Sequence, residues 1–563
     1  MIGYPLGLAK GPCRKVWVGS VALGGGEPPV LQSMITASAV QLAQAVAQIQ
    51  ELDQVGCQLI RLSIPSKKEL DAIPALRLEL ERLGINRPLV ADVHFSPALA
   101  ILSCQWFEKV RINPGNFSDS PKNSGSAPID PAAFEAGRLR QKEALAPLAQ
   151  ELLKYDRAVR VGVNQGSLSE RMMNRYGDSP LGMVHSALET VDLLEELGVQ
   201  KIVISLKSSN PLVVQKAYRL LAQLRAPKEP LPLHLGVTEA GDGVMGRAKS
   251  LAGVGPLLYD GLGETLRVSL TEPCKNEIAY GRTLLDSLAV RETLAPEKPK
   301  RWFRELDHRR VHNQTGVGLT GLELPLGQGA PVLLLGLRPA VEYSGLETNG
   351  WLEFKEGKLV GFEGTVWPQI TDPAQVLPPA PGLVLDLEQP LLPLRELYSR
   401  LGQAPAPLGL WVKPHHLHSP LAQTELAALL GEGLVDFLLL DSGLSLEDQL
   451  WVTHLLQATR TRISLTDYIA CPSCSRTLFD LESTTARIKA KTGHLKGLKL
   501  GIMGCIVNGP GEMADADFGY VGSGPGKVDL YRGQERVERN LPEAQAVEAL
   551  LELIQKSGFW REP

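Results

Sequence analysis

Three cysteines near the end of the chain have the type and the spacing to hold a metal centre. Cys471 and Cys474 form a Cys-Pro-Ser-Cys turn, and Cys505 follows at the end of a later β-rich run. Directly after Cys505 comes the turn-rich segment 508–512, Asn-Gly-Pro-Gly-Glu, which offers the carboxylate of Glu512. Three thiolates can share one metal centre, and Glu512 is the nearest candidate for a fourth ligand.

Several kinds of site use cysteines in this way. A structural zinc normally takes four ligands, usually as two Cys or His pairs, and no second pair follows here. A haem attachment needs His directly after the second Cys, where Ser475 stands. A redox dithiol needs only the Cys-x-x-Cys pair and leaves Cys505 without a role. An iron–sulfur cluster uses all three thiolates and accepts an unusual fourth ligand. The spacing favours the cluster, while zinc and a dithiol remain open.

A second chemically suited set lies in the apolar runs of the first half of the chain. Five of these runs carry a cation, which is costly there unless it is matched. The cations are Arg61, Arg111, Arg160, Lys207 and Arg267. A diphosphate would match them, because Arg binds phosphate oxygens in a fork and Lys supplies a point charge. An ion pair within the protein is the alternative for each cation taken singly. Polar residues of the same runs add groups for hydrogen bonding and proton transfer: Asp92, His94, Asn164, Thr238, Glu239 and Ser269.

The elements that must position these groups alternate regularly. Short β-rich runs are followed by stretches with helical spacing, and this happens eight times, with β-runs at 30–36, 59–65, 89–95, 109–115, 158–164, 201–209, 231–241 and 265–271. Ser179 and Pro180, for example, fit the N-cap and first position of one connecting helix. Eight strand–helix units over about 260 residues predict a (β/α)8 TIM-type barrel, with an open doubly wound sheet as the alternative. In such a barrel the reactive groups gather at the carboxyl ends of the strands.

The sequence pattern changes in the rest of the chain. A charged stretch begins near residue 290, and apolar β-runs at 332–337, 383–388, 408–413 and 437–442 indicate a smaller α/β unit. His415, His416 and His418 in that unit are expected to be surface residues and not metal ligands. We therefore predict a TIM-type barrel over 1–290, an inserted α/β middle domain over 291–460 and a C-terminal α+β domain over 461–563 that carries the cysteines.

Composition limits the function classes. The 563 residues carry a net charge of −4, so no global field attracts nucleic acid or an anionic membrane. No basic segment followed by a long apolar run opens the sequence, and no apolar run reaches the ~18 residues of a membrane span. We expect a cytoplasmic protein. The four scattered cysteines, Cys13, Cys57, Cys104 and Cys274, are expected to be small residues that are buried or incidental.

Nine segments in chain order resemble one known family. The chain is similar to the (E)-4-hydroxy-3-methylbut-2-enyl diphosphate synthases, the iron–sulfur enzymes of the methylerythritol phosphate route to isoprenoids. The matching segments are LQSM, LIRLSIP, LVADVHF, RINPGN, RVGVNQGSL, HLGVTEAG, LRVSL, IACPSCSR and GCIVNGPGE.

The resemblance implies a substrate, a cofactor and roles. The substrate would be 2-C-methyl-D-erythritol 2,4-cyclodiphosphate, which is opened and dehydrated with two electrons from a 4Fe-4S cluster. Glu239 would act as acid or base, and Glu512 would yield its place to substrate during turnover. A ferredoxin or flavodoxin would supply electrons, since the chain has no flavin or nicotinamide fingerprint. The implied cluster ligands are Cys471, Cys474, Cys505 and Glu512, and the implied substrate-binding residues are the five cations, the polar residues of the same runs and Asn508. A non-enzymatic redox or iron sensor is the competing hypothesis.

The middle region departs from the short bacterial form of the family and resembles the longer plant-type form. In the short form the cluster domain and the barrel of different subunits meet, which leaves a homodimer as one expected assembly. A spacer of domain size could instead let both ends of one chain close on the substrate. Because cations and cysteines lie far apart in sequence, we expect catalysis to require closure of the two outer domains.

Overall fold

The computed structural model describes most of the chain outside the middle region. The described residues are 13–117, 130–294, 333–338, 350–355, 358–360, 366–367, 369–371, 383–388, 390–391, 394–395, 408–506, 509–513 and 515–562. They pack into two units. One unit holds the described parts of 13–250, 262–282 and 465–562, and the other holds 251–261 and the described parts of 283–464. Among the described residues, no helix combines the length and the apolar character needed to cross a membrane.

Eight parallel strands form the barrel in the first unit. They are β3 (Val30–Met34), β4 (Leu59–Ser63), β5 (Leu89–Asp92), β6 (Lys109–Ile112), β7 (Ala158–Asn164), β8 (Ile202–Lys207), β9 (His234–Leu235) and β10 (Thr265–Leu266), after a hairpin of β1 (Val16–Val18) and β2 (Val21–Leu23). Strands β3 to β8 pair in chain order, and β10 pairs with both β3 and β9. A parallel bridge between Ile204 and Leu233 closes the ring. The predicted barrel is confirmed, and the open sheet is excluded.

The hairpin seals one end of the barrel. Val16, Val18 and Leu23 of the hairpin are buried in one apolar cluster. In the same cluster lie residues at or near the amino ends of the barrel strands, Val30, Leu59, Val90, Ala158 and Val203. Apolar burial of this kind stabilises the closed end by about 25 cal/mol per Å². Only the carboxyl ends of the strands are left to form a site.

Helices connect the strands and end at recognisable caps. Ser179 accepts a hydrogen bond from the amide of Gly182 at 3.1 Å, as expected for the N-cap of Pro180–Glu196. Val184, Ala187 and Val191 of that helix are buried, so its apolar face covers the sheet. The helices of this region are Leu42–Gln54, Lys67–Asp71, Ile73–Arg82, Pro97–Ser103, Pro131–Lys154, Glu170–Tyr176, Pro180–Glu196, Pro211–Arg225, Gly243–Tyr259 and Cys274–Leu294.

The middle region contains a second eight-stranded sheet. Its strands are β11 (Leu333–Arg338), β12 (Gly350–Lys355), β13 (Lys358–Val360), β14 (Val366–Trp367), β15 (Gln369–Ile370), β16 (Leu383–Leu385), β17 (Leu408–Val412) and β18 (Phe437–Leu440), with helices Pro420–Gly431 and Leu446–Ala458. Strands β15, β16, β17, β18 and β11 pair in parallel in that order. All four predicted β-runs are strands. His415 and His418 are exposed as expected, but His416 is buried because its two ring nitrogens bond the Lys413 amide and the Leu387 carbonyl.

The C-terminal segment is a five-stranded mixed sheet with helices against it. The strands are β19 (Asp467–Ala470), β20 (Lys499–Met503), β21 (Phe518–Gly524), β22 (Lys527–Arg532) and β23 (Glu535–Pro542), and the helices are Leu481–Thr492, Gly509–Glu512 and Glu543–Lys556. The first three strands are parallel and the last two add antiparallel pairs. The sheet and helices enclose their own apolar core, which includes Ile488, Phe518 and Leu550. The predicted α+β character is confirmed.

This sheet joins the barrel within the same unit. Ala240, just after β9, forms a parallel bridge with Ala470 at the end of β19. Lys249 donates to the Asp467 carboxylate at 2.8 Å, and both side chains are only 2% exposed. The hydroxyl of Thr271 donates to the carbonyl of Cys471 at 3.1 Å. These contacts hold the first cysteine loop over the carboxyl ends of the barrel strands.

Candidate functional site

One cavity lies at the carboxyl ends of the barrel strands, with the C-terminal segment as its other wall. Nearly all of the residues singled out in the sequence line it. From the barrel these are Arg61, Asp92, His94, Arg111, Arg160, Asn164, Lys207, Thr238, Glu239, Arg267 and Ser269, and from the C-terminal segment Cys471, Cys474 and Cys505. Residues more than 400 positions apart in sequence therefore line the same cavity. The cations and the cysteines face each other across it.

A single carboxylate organises the cations. Asp92, at the end of β5, lies 3.7 Å from Arg61, 3.5 Å from Arg111 and 3.7 Å from Arg160. Burial alone would raise the pKa of Asp92, but Arg61, His94 and Arg111 hold it well below its usual range. One negative charge therefore keeps several guanidinium groups together in a buried layer.

The deeper cations are not fully matched by protein charge. Burial lowers the pKa of Arg61 to about 10 in spite of Asp92, and burial together with neighbouring guanidinium groups lowers the pKa of Lys207 well below its usual value. Within the described part of the chain, Nε and Nη1 of Arg160 have no hydrogen-bond partner although both are buried. Buried donors without acceptors are costly, so this layer fits an incoming anion with several oxygens.

Arg267 is held differently from the others. Its Nε and Nη2 donate to the two oxygens of Glu277 at 3.0 and 2.9 Å. Ser33 donates to the same carboxylate at 2.6 Å, and the Leu270 amide does so at 3.2 Å. Glu277 lies in the first turn of the helix after β10, and the sequence reasoning missed it. It fixes the plane of the Arg267 guanidinium so that the remaining nitrogen faces the cavity region near Met34.

His94 is kept neutral in this surrounding. Burial, followed by the charge of Arg111, lowers the pKa of His94 to about 3. Its Nε2 lies 3.1 Å from Asp92, and Nη1 of Arg111 lies 2.8 Å from its Nδ1. His94 is thus a polar neutral group at neutral pH. It can exchange hydrogen bonds with a bound ligand without adding charge.

Glu239 has an unusual backbone. It is 3% exposed and has a φ of 51°, a left-handed conformation that is uncommon for residues other than glycine. The strand bridge between Ala240 and Ala470 follows directly, and the amide of Thr238 donates to Ser208 at 3.1 Å. Strain of this kind persists when the surroundings enforce it, and it is concentrated at functional sites. The two flanking contacts fix this carboxylate in the cavity wall.

The cysteines sit on two neighbouring loops. Cys471 follows β19 and Cys505 follows β20, and because these strands are parallel neighbours their carboxyl ends bring both loops to one edge. The amide of Gly504 donates to Sγ of Cys471 at 3.2 Å, and the amide of Cys474 donates to Thr477 at 3.0 Å. Burial raises the pKa of Cys471 well above its usual value, so its thiolate form needs a compensating cation or metal.

Arg476 is a sixth cation that the sequence reasoning did not single out. It comes from the cysteine loop, and its Nε donates to Sγ of Cys474 at 3.5 Å. Its Nη2 lies 3.9 Å from Asp92 on the barrel side. Burial would lower its pKa, but the charges of Cys474 and Asp92 raise it above the usual value. The signal was present as a basic residue two positions after the second cysteine of the Cys-x-x-Cys motif.

Two predicted residues are not placed with the others. Asn508 lies outside the described residues. Glu512 is the last residue of the short helix Gly509–Glu512, and its side chain lies outside the described part of the structure. Gly509, the first residue of that helix, lines the cavity. The roles of Asn508 and Glu512 therefore stay predictions.

The cysteine loops offer donors of the kind that hold an iron–sulfur cluster. None of the seven cysteines, all of which the structure describes, forms a disulfide; Cys471, Cys474 and Cys505 are partly exposed toward the cavity, whereas the other four are buried as expected. Backbone N–H groups pointing at a cysteine sulfur, as at Gly504, are the kind of contact that tunes iron–sulfur clusters. The donor set fits such a cluster.

Fold and site together define a TIM-barrel protein whose cation-lined cavity is capped by a cysteine-bearing α+β domain. Two family models match these two parts of the chain. The GcpE TIM-barrel domain matches residues 13–282, and the GcpE protein C-terminal domain matches residues 467–556. The chain belongs to the GcpE family.

Curated relatives match along almost the whole chain. A protein of Leptospira interrogans named 4-hydroxy-3-methylbut-2-en-1-yl diphosphate synthase (flavodoxin) is 36% identical, and the match covers 99% of this chain and 98% of that protein. A protein of Porphyromonas gingivalis with the same name is 39% identical over 97% of each chain. A chloroplastic protein of Arabidopsis thaliana, named as the ferredoxin form, is 34% identical over 98% of this chain and 88% of its own. The resemblance seen in the sequence motifs is confirmed, and it extends through the middle region.

Proposed function

We propose that this protein converts 2-C-methyl-D-erythritol 2,4-cyclodiphosphate into (E)-4-hydroxy-3-methylbut-2-enyl diphosphate, with a 4Fe-4S cluster held by Cys471, Cys474, Cys505 and Glu512. The observation that carries the proposal is the shared cavity, in which a layer of buried cations faces three cysteines of the same chain. A cyclic diphosphate satisfies the cations, and a cluster satisfies the thiolates. The names of the full-length relatives support this reaction.

The barrel residues act on the substrate by binding and orienting it. Arg160 and Lys207 supply buried donors to the diphosphate, and Arg267 is aimed by Glu277. Formation of the product from the cyclodiphosphate takes up two electrons with protons and releases one water. Glu239 is the group that we assign to proton transfer with the leaving hydroxyl, because it is a carboxylate fixed in the cavity wall. Asn164 and His94 complete the polar lining.

The electrons must come from outside the chain. When bound, a 4Fe-4S cluster supplies electrons one at a time. A ferredoxin or flavodoxin matches that requirement, and the relatives' names include both donors. The chain itself offers the cation layer, which gathers the substrate's negative charge next to the cysteine loops. We therefore infer a small one-electron carrier protein as the partner.

Anaerobic purification followed by iron and sulfide analysis tests the cofactor, and turnover of the cyclodiphosphate with a chemical reductant tests the reaction. We expect about four irons per chain and product formation. Arg160→Gln should lose turnover but keep its iron, whereas Cys471→Ser should lose both. Arg82→Gln is the matched control, because Arg82 lies on an exposed helix face with a side chain 67% exposed. A colourless zinc protein would refute the cofactor, and a cluster protein that binds but never converts the substrate would favour a sensor.

We further propose that one chain forms a complete active site, with the middle region over 291–460 as a spacer. The cavity is lined by barrel residues and cysteines of one chain, which supports closure without a second subunit. Mixing a barrel-inactive Arg160→Gln variant with a cluster-inactive Cys471→Ser variant is the test. We expect no recovery of activity. Recovery in the mixture would show that the two halves act across subunits, and scattering with and without substrate would then locate the closure.

A further inference from the structure

In addition to the bridge between Ala240 and Ala470, the barrel and the C-terminal segment touch backbone to backbone at a pair of glycines. Gly166 lies in the loop after β7, and Gly511 lies in the helix Gly509–Glu512. A Cβ placed on Gly166 would lie 2.2 Å from the carbonyl oxygen of Gly511 and 2.7 Å from its carbonyl carbon. A Cβ on Gly511 would lie 2.8 Å from the carbonyl oxygen of Gly166. Neither position can carry a side chain unless the two backbones move apart.

The Gly166 loop is held firmly from the barrel side. The amide of Gly166 donates to the carboxylate of Asp178 at 2.9 Å, and the amide of Gln165 donates to the carbonyl of Lys207 at 2.8 Å. The amide of Ser167 donates to the carbonyl of Asn164 at 3.1 Å. Because Asn164 and Lys207 line the cavity, this loop is a rigid extension of the anion pocket.

The Gly511 helix is held equally firmly from the other side. Met513 follows this helix directly, its amide donates to the carbonyl of Gly509 at 3.1 Å, and its side chain is 1% exposed. That side chain packs in an apolar cluster with Ile469, Met503 and Val521 of the C-terminal sheet. The helix cannot give way without disturbing this cluster. Each glycine therefore belongs to a firmly held element, and the contact sets the gap between those elements.

We propose that Gly166 and Gly511 are positioning residues that register the C-terminal segment against the anion pocket. Their contact sets how near Glu512, the residue after Gly511, and the cavity-lining Gly509 come to a ligand held by the barrel cations. The absence of side chains at both positions is what permits this approach. The inference rests on the proposed function, because it assigns the contact to the alignment of substrate with the cysteine loops.

The matched substitutions are Gly166→Ala and Gly84→Ala. Both glycines have a left-handed backbone, with φ of +75° and +73°, so both variants carry the same kind of conformational cost. A Cβ on Gly84 meets nothing within 4 Å, so only Gly166→Ala adds a clash. We expect Gly166→Ala to keep full iron content and to lose at least about a hundredfold in kcat with a small change in KM, as expected for an error of about 1 Å in alignment. Gly84→Ala should retain kcat.

A second measurement reads the contact without turnover. Hydrogen exchange followed by mass spectrometry should show protected amides around residues 166–167 and 511–513 in the wild type. Gly166→Ala should lose this protection and Gly84→Ala should keep it. Gly511→Ala, which carries no left-handed cost, should reproduce Gly166→Ala in both assays. Its thermal unfolding serves as the check for proper folding if Gly166→Ala is unstable.

The outcomes separate this inference from the proposed function. If Gly166→Ala and Gly511→Ala both retain wild-type kcat and protection, the positioning role is overturned. If the wild type itself fails to convert the cyclodiphosphate, the proposed reaction fails, while the exchange data still decide whether the two glycines form the contact. Equal loss of kcat in Gly166→Ala and Gly84→Ala would assign the effect to backbone cost alone and also overturn the inference.

Discussion

Replacing Arg476 with Gln should make the bound cluster harder to reduce. Arg476 donates to Sγ of Cys474 at 3.5 Å, and its side chain is 12% exposed, so its charge is poorly screened. Two unit charges about 4 Å apart interact by about 1 kcal/mol in a water-like medium and about 4 kcal/mol at an effective dielectric constant of 20. The added electron is spread over the cluster, which places the expected effect at about 1–3 kcal/mol. Since 1.4 kcal/mol corresponds to 59 mV for one electron, the potential should fall by roughly 40–130 mV.

The assay is a potentiometric titration of the anaerobic holoprotein followed by electron paramagnetic resonance. Arg476→Lys keeps the charge but loses the planar fork, so its shift should be less than half that of Arg476→Gln. Arg487→Gln is the control, because Arg487 is exposed on a helix of the same domain. A potential for Arg476→Gln within about 20 mV of the wild type would refute the reasoning. Equal shifts in the Lys and Gln variants would show that geometry, and not charge, sets the potential.

Three further outcomes follow from the site. Glu277→Gln should lower the free energy of unfolding in urea by about 3 kcal/mol, because it breaks a buried ion pair with Arg267, and should raise KM more than it lowers kcat. The pKa of His94 is about 3 in the native state and near 6.5 in the unfolded chain. Between these two pH values the unfolded chain binds one more proton than the native protein, so the free energy of unfolding rises with pH. The free energy of unfolding in urea should therefore increase from pH 5 to pH 6.5 by up to roughly 2 kcal/mol more in the wild type than in His94→Gln. In the native protein stripped of metal, a thiol reagent should label only the three cavity cysteines, because these are partly exposed whereas Cys57 and Cys104 are fully buried; early labelling of either of these would contradict the burial.

The barrel was readable from the sequence because its strands are continuous apolar runs buried on both faces. The last two were nevertheless predicted too long, since β9 and β10 pair over only two residues each. After β9 the chain leaves the barrel sheet and lines the cavity. The backbone of Glu239 has a left-handed conformation, and Ala240 pairs with Ala470 of the C-terminal domain. The pattern of residue types predicts that a segment forms a strand, but it does not predict the residue at which that strand stops pairing with its neighbours.

The sequence predicted the cavity residues that lie within recognisable strands. It did not predict those whose role depends on a partner far away in the sequence. Glu277 matters because Ser33 and Arg267 converge on it, and Ser33 is 244 positions away. Arg476 matters because the cysteine loop is folded onto Asp92 of the barrel. Gly166 looks like an ordinary turn glycine until Gly511 is placed against it. Such roles belong to pairs, and a single sequence offers no rule that links their members.

The excess of cations over carboxylates in the cavity has a practical consequence at the bench. Six basic side chains meet only Asp92 and Glu239 among the lining residues, so inorganic oxyanions in the buffer are competitors for the same donors. A preparation in phosphate or sulfate is then a partly inhibited one, with a melting temperature raised by mass action. Apparent KM values measured in different buffer salts will disagree for this reason alone. The affinity for the natural ligand should therefore be measured in chloride or in a buffer with a bulky zwitterion.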